Sequence, residues 1–581
     1  MNDTITPAGA NNAVGPRPAD RIADMILHAR GIAPGAGAVG PLSSLPAPEF
    51  SAAIDKACAL ILKAMDDDLP IMIVGDYDCD GATATAIAIR GLYALGHSRV
   101  YFCVPNRLTH GYGLSPALLE DVILKARERP ELLITVDNGI AAHAGVAAAK
   151  AHGMRVIVTD HHLPGPTLPD ADAILDPSVP GDAMPSKALC GAGVMFYLLL
   201  ALRARMRREG RFNPLQPEPD LSLLLDLVAL GTVADVVPLD ALNRILVAAG
   251  LRLIRRERGC LGLRALFKVA RREITNATSS DLGFSIGPRI NAAGRLEDMS
   301  TGIRLLIDDD PTEAQSLAAS LEDVNQRRRA LQETMVGQAQ EMLRDTLTDS
   351  SHCMTAAPAH VLHDARWHEG VVGLVASRVR EETNRPAIAF ADASAHGELK
   401  GSGRSIPGFH MRDALAEIDA ANPGLIARFG GHAMAAGLTL SSANLERFRV
   451  AFVELAGARL DASMLSEVTL TDGPLRGDEI TQDLCAWIET IPWGQAFPEP
   501  VFEIEGDLLE WRRIGDKKQY WSMTIAVDQV VHRAVCFAPW AEEPPKRIKA
   551  LTRVGINHFR GQSEINLMLE QPRGKTLLRH A

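Results

Sequence analysis

Short apolar segments alternate with helix-like segments between residues 71 and 159, and this alternation limits the fold more than any other feature of the sequence. Apolar runs of strand length are separated by stretches of about 12 to 15 residues with helical character. Such alternation indicates βαβ units, whose strands are parallel and covered by helices on both faces. We therefore predict an α/β fold with a doubly wound, mainly parallel sheet. The predicted strands are 71–75, 99–104, 132–136 and 155–159.

Acidic and imidazole side chains come directly after several of these strands. Ligands of doubly wound sheets bind outside the carboxyl ends of the strands, so side chains distant in sequence converge there. Three carboxylates within five residues repel each other unless a divalent cation neutralises them. The set comprises Asp76, Asp78 and Asp80, then Asp137, then His161 and His162. Asp235 follows a helix-like segment instead, and for it a helix cap or a surface acid is the alternative.

The types of ligand in this set predict its chemistry. Carboxylates with one or two imidazoles and no thiolate suit Mn²⁺ or Mg²⁺, and the imidazoles favour Mn²⁺. Two such ions ~3.5–4 Å apart polarise phosphate oxygens and activate a water for an in-line displacement. The sequence therefore predicts a two-metal site that hydrolyses a phosphoester.

Six segments, in order along the chain, resemble the successive motifs of the DHH phosphoesterases, and most closely those of the RecJ family of bacterial exonucleases acting on single-stranded DNA. The resemblance covers residues 70 to 440. Cys79 departs from it, because alanine is usual at that position. The segments are 76–81 (DYDCDG), 137–139 (DNG), 160–162 (DHH), 235–239 (DVVPL), 287–295 (GPRINAAGR) and 430–437 (GGHAMAAG).

The resemblance implies roles for the residues of the acidic set. It makes Asp78, Asp80, Asp137, His161 and Asp235 the metal ligands, with Asp137 bridging the two ions. It also places Asp76, Asp137 and His162 in catalysis. His162 either contacts the scissile phosphate or completes one metal shell, and the role of Asp76 is left open.

Two glycine-rich segments are predicted to be loops that bind the substrate. Arginine binds phosphate in a bidentate way, and neighbouring glycines let the backbone approach a polyanion. The first loop offers Arg289, Asn291 and Arg295, although either arginine could instead pair with a structural carboxylate such as Glu297. The second region resembles the DHHA1 domain, and the resemblance implies substrate contacts at Ser402, Arg404, Ser405, Gly431 and His432.

The domain organisation follows from changes of texture along the chain. Asp310, Pro311 and Glu313 are typical of a helix start and predict one long helix to residue 347, in which Arg327, Arg328 and Arg329 either face nucleic acid or are simply solvated. Short strands after residue 465 predict an OB-like domain that binds single strands through Lys517, Lys518, Tyr520 and Trp521, although Trp521 could instead belong to the core of the domain. The predicted parts are a disordered tail (1–45), a DHH catalytic domain (46–305), a connecting helix (306–350), a DHHA1 domain (351–460) and the OB-like domain (461–581).

The metal site predicts a phosphoesterase, and the resemblance implies a metal-dependent exodeoxyribonuclease. The resemblance implies a 5′→3′ direction, release of mononucleotides, a part in DNA repair and recombination, and partners such as a helicase and a single-strand-binding protein. Two alternatives remain: a DHH phosphodiesterase for oligoribonucleotides or cyclic dinucleotides, and a catalytically silent nucleic-acid-binding subunit. Eight cysteines without a CxxC pair, and no apolar run near the ~20 residues that cross a bilayer, predict a soluble cytoplasmic protein. The net charge of −11 hides a local charge of +7 in residues 511–581.

Overall fold

The structure is a computed structural model of the 581-residue chain. It describes residues 18–33, 35–48, 51–106, 110–125, 128–348, 357–393, 397–461, 463–465, 468–515, 518–537, 543–559, 562–570 and 576–579. The chain forms two compact units. The larger unit is Pro41–Glu467 with Gly494–Ala496, and the C-terminal unit is Met1–Gly40, Val468–Trp493 and Phe497–Ala581.

The N-terminal helix, α1 (Pro18–His28), belongs to the C-terminal unit. Residues 1–45 were predicted to be disordered, and for this helix the prediction is wrong. Ile22 and Ile26 on one face of α1 are buried in the core of the C-terminal unit. The segment is rich in Ala, Gly and Pro, so its composition does not predict a helix. The short amphipathic helix is stabilised by the packing of its apolar face.

The first sheet of the larger unit has five parallel strands in the order β2-β1-β3-β4-β5, which confirms the predicted doubly wound architecture. The order reverses between β1 and β3, and the crevice at such a point is where these sheets bind ligands. The strands are β1 (Ile71–Val74), β2 (Val100–Cys103), β3 (Leu132–Val136), β4 (Arg155–Thr159) and β5 (Ala173–Leu175).

Helices surround this sheet, and α3 among them is almost completely buried. Its small side chains allow close packing: a Cβ added to Gly91 would lie 2.2 Å from Leu199 of α6. The helices are α2 (Ala52–Asp66), α3 (Cys79–Ala94), α4 (Pro116–Lys125), α5 (His143–Ala151), α6 (Gly191–Arg208), α7 (Leu225–Ala234), α8 (Ala241–Arg255) and α9 (Leu261–Val269).

A helical segment replaces the first predicted loop. Residues 287–295 lie in α11, because glycine and alanine side chains are small enough for a helix to pack closely against its neighbours. At Gly294, for example, an added Cβ would lie 1.8 Å from the carbonyl oxygen of Tyr77. The elements here are α10 (Ser279–Asp281), a π-helix (Leu282–Ile286), α11 (Gly287–Leu296), α12 (Ser300–Ile307) and the predicted long helix, α13 (Pro311–Thr348).

The second sheet of the larger unit is mixed, in the order β6-β7-β8-β10-β9. The glycine-rich segments predicted to be loops are strands here: Gly401 pairs with Leu438, and its missing side chain leaves room for Phe390. The elements are β6 (His360–His363), α14 (Val372–Thr383), β7 (Ala387–Asp392), β8 (Glu398–Arg404), α15 (Met411–Ala421), β9 (Arg428–Gly431), β10 (Ala435–Ser441) and α16 (Leu445–Arg459).

The C-terminal unit contains a closed five-stranded barrel in the order β12-β13-β14-β16-β15, consistent with the predicted OB-like fold. Trp521 is 3% exposed and belongs to its core, so it is not a stacking platform, whereas Trp511 is 42% exposed. Lys517 lies outside the described residues. The elements are β11 (Val468–Thr471), α17 (Gln482–Thr490), β12 (Phe502–Ile514), β13 (Tyr520–Val527), β14 (Val530–Cys536), β15 (Arg547–Phe559), β16 (Gln562–Glu570) and β17 (Thr576–Arg579).

A search of the described helices for a membrane span finds no candidate with both the length and the apolar character required.

Candidate metal centre and substrate cleft

Seven side chains predicted from the sequence meet at the carboxyl edge of the first sheet. Potential ligand atoms from three groups of them lie within 4.8 Å of one another. The contribution of Asp235 comes from the end of α7, where it is the C-terminal cap, and not from a strand. The groups are Asp137 with His161 and His162; Asp80 with His161 and Asp235; and Asp76 and Asp78 with Asp137. We call these seven residues the acidic edge.

His161 lies at the centre of the acidic edge. Its Nε2 is 3.1 Å from Oδ1 of Asp137, 3.5 Å from Oδ2 of Asp235 and 3.9 Å from Oδ2 of Asp80. Burial, and then the charge of His162, lowers the pKa of His161 to about 3. The imidazole is therefore neutral at physiological pH and keeps a lone pair for a metal ion.

The buried carboxylates disfavour their own charge. Burial, and then repulsion by Asp80 and the other acids, raises the pKa of Asp137 well above its usual range. Burial and the charge of Asp78 raise the pKa of Asp80 to about 6. The pKa of Asp235 is also raised, by burial first and then by Asp80. A divalent cation would remove this penalty, since it stabilises the charged form of every carboxylate around it.

His162 differs from His161 because a buried carboxylate holds it. Its Nδ1 is 2.7 Å from Oδ1 of Asp160, which also accepts hydrogen bonds from the backbone N–H groups of His161 and His162. Burial acts to lower the pKa of His162, but the hydrogen bond and charge of Asp160 outweigh it and raise the pKa to about 9. Without metal, His162 is thus an oriented cation beside the acidic edge. Asp160 precedes the two histidines in the sequence motif, but the motif alone does not indicate this role.

Backbone contacts hold the first acidic loop in place. Asp76 accepts a hydrogen bond from the N–H of Asp78 at 2.6 Å, and Asp78 in turn caps α3 by accepting from the N–H of Asp80 at 2.8 Å. Asn291 accepts from the N–H of Cys79 at 2.8 Å. Asn291 therefore helps to fix the loop that carries the acids, and its predicted contact with a substrate stays a prediction.

The first turn of α6 supports Asp80 and was missed in the sequence analysis. Gly191 and Ala192 donate their backbone N–H groups to the two carboxylate oxygens of Asp80, at 2.6 and 3.0 Å. A Cβ added to Gly191 would lie 2.5 Å from the Cβ of Asp137, so only glycine lets the helix approach both acids. A helix N-terminus favours negative charge, which explains why the buried Asp80 is tolerated there.

Asn138 joins two strand ends at the reversal point of the sheet. It is completely buried, and its Nδ2 donates to the carbonyl oxygens of Val74 in β1 and Val136 in β3, both at 2.9 Å. The preceding residue, Asp137, adopts a left-handed conformation with φ of +60°. For Asn138, the only sequence signal for its role in joining β1 and β3 was its position directly after Asp137 in a predicted strand-end motif.

The acidic edge fits divalent cations. Oδ1 of Asp137 and Nε2 of His161 are buried and make no hydrogen bond within the described part of the chain, although they face each other. An acceptor oxygen and an imidazole lone pair side by side suit common ligands of one ion, and the donor set contains only oxygen and nitrogen. All seven residues of the acidic edge could hold the ions, and the assignment of Asp78, Asp80, Asp137, His161 and Asp235 as the ligands stays a prediction.

A cavity of about 530 Å³ beside this edge is lined by residues of the second sheet. Ser402 and Arg404 face it from β8, and Arg404 donates to Oγ of Ser402 at 2.9 Å. A Cβ added to Gly373 in the first turn of α14 would lie 2.9 Å from the Arg404 guanidinium, so a helix N-terminus also faces the site. Arg295 lines the cavity as well and donates to the carbonyl oxygen of Gly370 at 3.3 Å.

His432 brings the second sheet close to the acidic edge. Its ring centroid lies 6.2 Å from that of His162, and its side chain is exposed. The adjacent Gly431 has a φ of +139°, and a Cβ there would lie 2.5 Å from the carbonyl oxygen of Ala435. The hairpin of β9 and β10 therefore needs glycine at this turn in order to present His432.

Two predicted substrate residues lie elsewhere. Arg289 is 5% exposed, its Nε is 2.5 Å from Oε2 of Glu322 in α13, and it donates to the carbonyl oxygen of Ser285. This is the structural alternative kept open in the sequence analysis, with Glu322 as the partner in place of Glu297. Ser405 is 1% exposed and donates its hydroxyl to the carbonyl oxygen of Phe409, so it stabilises a turn.

Comparison with known proteins identifies three successive domains. The DHH family, N-terminal domain, matches residues 70–232; the DHHA1 domain matches residues 355–458; and the RecJ OB domain matches residues 471–571. The single-stranded-DNA-specific exonuclease RecJ of Dickeya dadantii is 45% identical over 523 residues, which are 89% of this chain and 90% of that protein. The chain belongs to the RecJ family of single-stranded-DNA-specific exonucleases. This confirms the family that the six motifs predicted.

Solved structures of the family bind the predicted metals. The crystal structure of Thermus thermophilus RecJ in complex with Mn²⁺ is 31% identical and superposes with a TM-score of 0.75, over 95% of this chain and 76% of that one. The complex of the same protein with Mg²⁺ is 29% identical, with a TM-score of 0.69, over 96% and 75% of the two chains. Both ions match the donor chemistry of the acidic edge.

Proposed function

We propose that the protein is a metal-dependent exonuclease that degrades single-stranded DNA from the 5′ end and releases mononucleotides. The observation that carries the proposal is the acidic edge, in which five carboxylates and two imidazoles bring potential ligand atoms within 4.8 Å of one another in three groups. Membership of the RecJ family supports the choice of single-stranded DNA as substrate.

Residues on the two sides of the cleft would have different roles: the acidic edge would hold the ions, and the opposite side would bind the strand. Two divalent ions held by the acidic edge would polarise the scissile phosphate and activate a water. His162, oriented by Asp160, is available to contact a phosphate oxygen. On the other side, Arg295, Ser402 and Arg404 would hold a second phosphate group of the strand.

Several finer assignments belong to the same proposal. His432 and the backbone of Gly431 would contact the substrate from the second sheet, and Asp76 would assist the metal ligands. We propose the domain limits given above from the sequence, with α1 added to the OB-like domain. A cytoplasmic location, a part in DNA repair and recombination, and a helicase or single-strand-binding protein as partner also stay proposals.

The decisive experiment compares substrates. Purified protein with Mn²⁺ is given 5′-labelled and 3′-labelled single-stranded DNA, single-stranded RNA and a cyclic dinucleotide. We expect labelled mononucleotide to appear at once from 5′-labelled DNA, and 3′-labelled DNA to shorten progressively before its label is released. Faster turnover of RNA or of the cyclic dinucleotide would favour the alternative phosphodiesterase. No turnover of any substrate would favour the silent binding subunit.

A variant ties this activity to the acidic edge. We expect Asp137→Ala to lower Mn²⁺-dependent digestion by at least a thousandfold, in line with ~4 kcal/mol of transition-state stabilisation, while circular dichroism shows an unchanged fold. Asp323→Asn, which alters an exposed acid on α13, is the matched control and keeps full activity. Digestion by the wild-type protein in excess chelator would contradict the metal-dependent mechanism.

A further inference from the structure

Phe284 is a large aromatic side chain that the fold leaves in solvent. It is 78% exposed, although its neighbours Leu282 and Ser285 are buried. It lies in the π-helix Leu282–Ile286, between α10 and α11. A π-turn inserts one extra residue into a helix and changes the direction of a side chain, and such turns are frequent at functional sites.

The π-helix packs against the corner that carries Asp235. A Cβ added to Gly283 would lie 3.3 Å from Cγ1 of Val233 near the end of α7. Three residues later, just past Asp235, Val236 has a φ of +61° and is 61% exposed. A β-branched residue in the left-handed region is strained, and such strain persists where the surroundings enforce it, often at functional sites. Phe284 therefore lies beside a corner of the acidic edge that is built under strain.

Arginines lie near the helical segment that carries Phe284. Arg272 pairs with Asp281 at 3.6 Å, three residues before Phe284. Arg289, five residues after Phe284, pairs with Glu322 of α13, and Arg329 lies two helical turns beyond Glu322 on the same face of α13. Arg329 is exposed and makes no ion pair with any carboxylate of the described residues. We call Phe284, Arg272 and Arg329 the Phe284 surface.

We propose that the Phe284 surface is a second contact for single-stranded DNA, outside the cleft and adjoining the Asp235 corner. An unpaired base stacks on the Phe284 ring, and the two arginines attract the neighbouring phosphates, which is the combination typical of single-strand binding. A base in a duplex has no free face for this ring. The surface therefore holds the part of the strand that has not yet entered the cleft, and the proposal rests on the function proposed above.

The test measures how the effect of a mutation depends on strand length. Phe284→Ala is compared with the wild-type protein in binding and Mn²⁺-dependent digestion of strands of 4 and 20 nucleotides. We expect affinity for the longer strand to fall about tenfold, from loss of one stacked base. We expect any loss on the shorter strand to be at least five times smaller. Arg329→Gln lowers the dependence of binding on salt concentration, by a slope of about 0.7 for one phosphate contact on a single strand.

Three controls make the outcome specific. Phe284→Trp keeps an aromatic face and restores binding, whereas Phe284→Leu keeps only apolar character and does not. Leu215→Ala removes another apolar side chain, 97% exposed, and changes binding to neither strand. Equal losses on both lengths, or unchanged affinity of Phe284→Ala for the longer strand, would overturn the proposal and leave the surface to a protein partner. Failure of the proposed function is separate, because the wild-type protein would then digest no DNA of either length.

Discussion

Buried charges occur in two regions of this molecule and are neutralised in different ways. In the C-terminal unit, the side chains of Arg30 and Asp472 are each 2% exposed and form a bidentate ion pair, with distances of 2.7 and 3.2 Å. Arg30 also donates to the carbonyl oxygen of Pro498 at 2.8 Å. This pair joins the segment after α1 to the start of the barrel domain.

At the acidic edge, the buried carboxylates of Asp80 and Asp137 lie beside His161, and Asp80 is also held by the backbone N–H groups of Gly191 and Ala192. The raised pKa of Asp137 and the Asp80 pKa of about 6 result from burial first and from neighbouring acids second. The difference teaches how to recognise a site from its charges. A buried acid with a protein cation stabilises the fold, whereas a buried group of acids without one costs stability until a cation from solution binds.

The largest expected change in the free energy of unfolding comes from breaking the Arg30–Asp472 pair. We expect Asp472→Ala to lower the free energy of unfolding of the C-terminal unit by about 3–5 kcal/mol, because it leaves Arg30 buried and uncompensated. Urea unfolding followed by hydrogen exchange of the backbone amides in β12 and β15 measures this loss in the full chain. Asp478→Ala, which removes an acid with 66% side-chain exposure that pairs with Arg476, changes stability by less than about 1 kcal/mol.

A double variant sharpens this result. Arg30→Met combined with Asp472→Leu replaces the pair by apolar side chains and recovers most of the lost stability, because the desolvation cost of both charges disappears. If the double variant were as unstable as Asp472→Ala, the pair would contribute something other than charge neutralisation, and the contrast with the acidic edge would not hold.

The second prediction is a gain in stability, in contrast to the loss expected for Asp472→Ala. In excess chelator at pH 7.5, we expect Asp137→Asn to raise the free energy of unfolding, because it removes a carboxyl group whose pKa is raised by burial and by its neighbours. Asparagine tolerates the left-handed φ of +60° at this position, so the backbone need not change. Chemical denaturation of the larger unit with and without chelator provides the measurement.

With Mn²⁺ added, we expect the wild-type protein to become more stable than Asp137→Asn. The wild-type protein gains stability with Mn²⁺ concentration, as any ligand bound only by the folded state provides. Asp137→Asn gains less, because a central ligand has lost its charge. A variant that was less stable than the wild-type protein in chelator would refute the view that this edge is strained by its own charge.

The acidic edge was predicted well from the sequence because the signal for each of its residues lies in the residues just before it. Apart from Asp235, which ends α7, the residues of the edge follow buried strands, and parallel topology brings the strand ends together. The bounds of β3 and β4 agree with the prediction to the residue. The partner of a charge is not local information. Arg289 has the same sequence environment whether it binds phosphate or Glu322, which is 33 positions further along the chain.

Glycine-rich segments and the N-terminus were predicted less well for physical reasons. Glycine permits loops, but it also permits the close approach of a strand to a large side chain: a Cβ at Gly401 would lie 2.3 Å from the Phe390 ring. The helix α1 is stable only through Ile22 and Ile26, which pack in a core formed by residues more than 400 positions away. Neither effect can be obtained from composition.

The smallest expected effect is the change with pH in the stability of the metal-free protein. A histidine whose pKa is raised by folding contributes stability that is complete below its unfolded pKa of ~6.5 and is lost as the pH rises through its folded pKa. The pKa of His162 is raised to about 9, so this contribution is lost between pH 6.5 and 9. The pKa values of His161 and Asp80, about 3 and about 6, lie below this window, so neither group adds a rise in stability there.

We therefore expect the free energy of unfolding in chelator to fall by about 1–2 kcal/mol from pH 6.5 to 9, once partial exposure of His162 is allowed for. With Mn²⁺ the trend weakens or reverses, because metal binding needs deprotonated ligands and strengthens as the pH rises. His162→Gln removes one titrating group and makes the chelator curve less steep, while the raised pKa values of Asp137 and Asp235 still make the stability fall as the pH rises. His363→Gln, on the second sheet, leaves the curve unchanged. A chelator curve that rose with pH would mean that the acids of this edge are already compensated within the protein, and the edge would then resemble the Arg30–Asp472 pair.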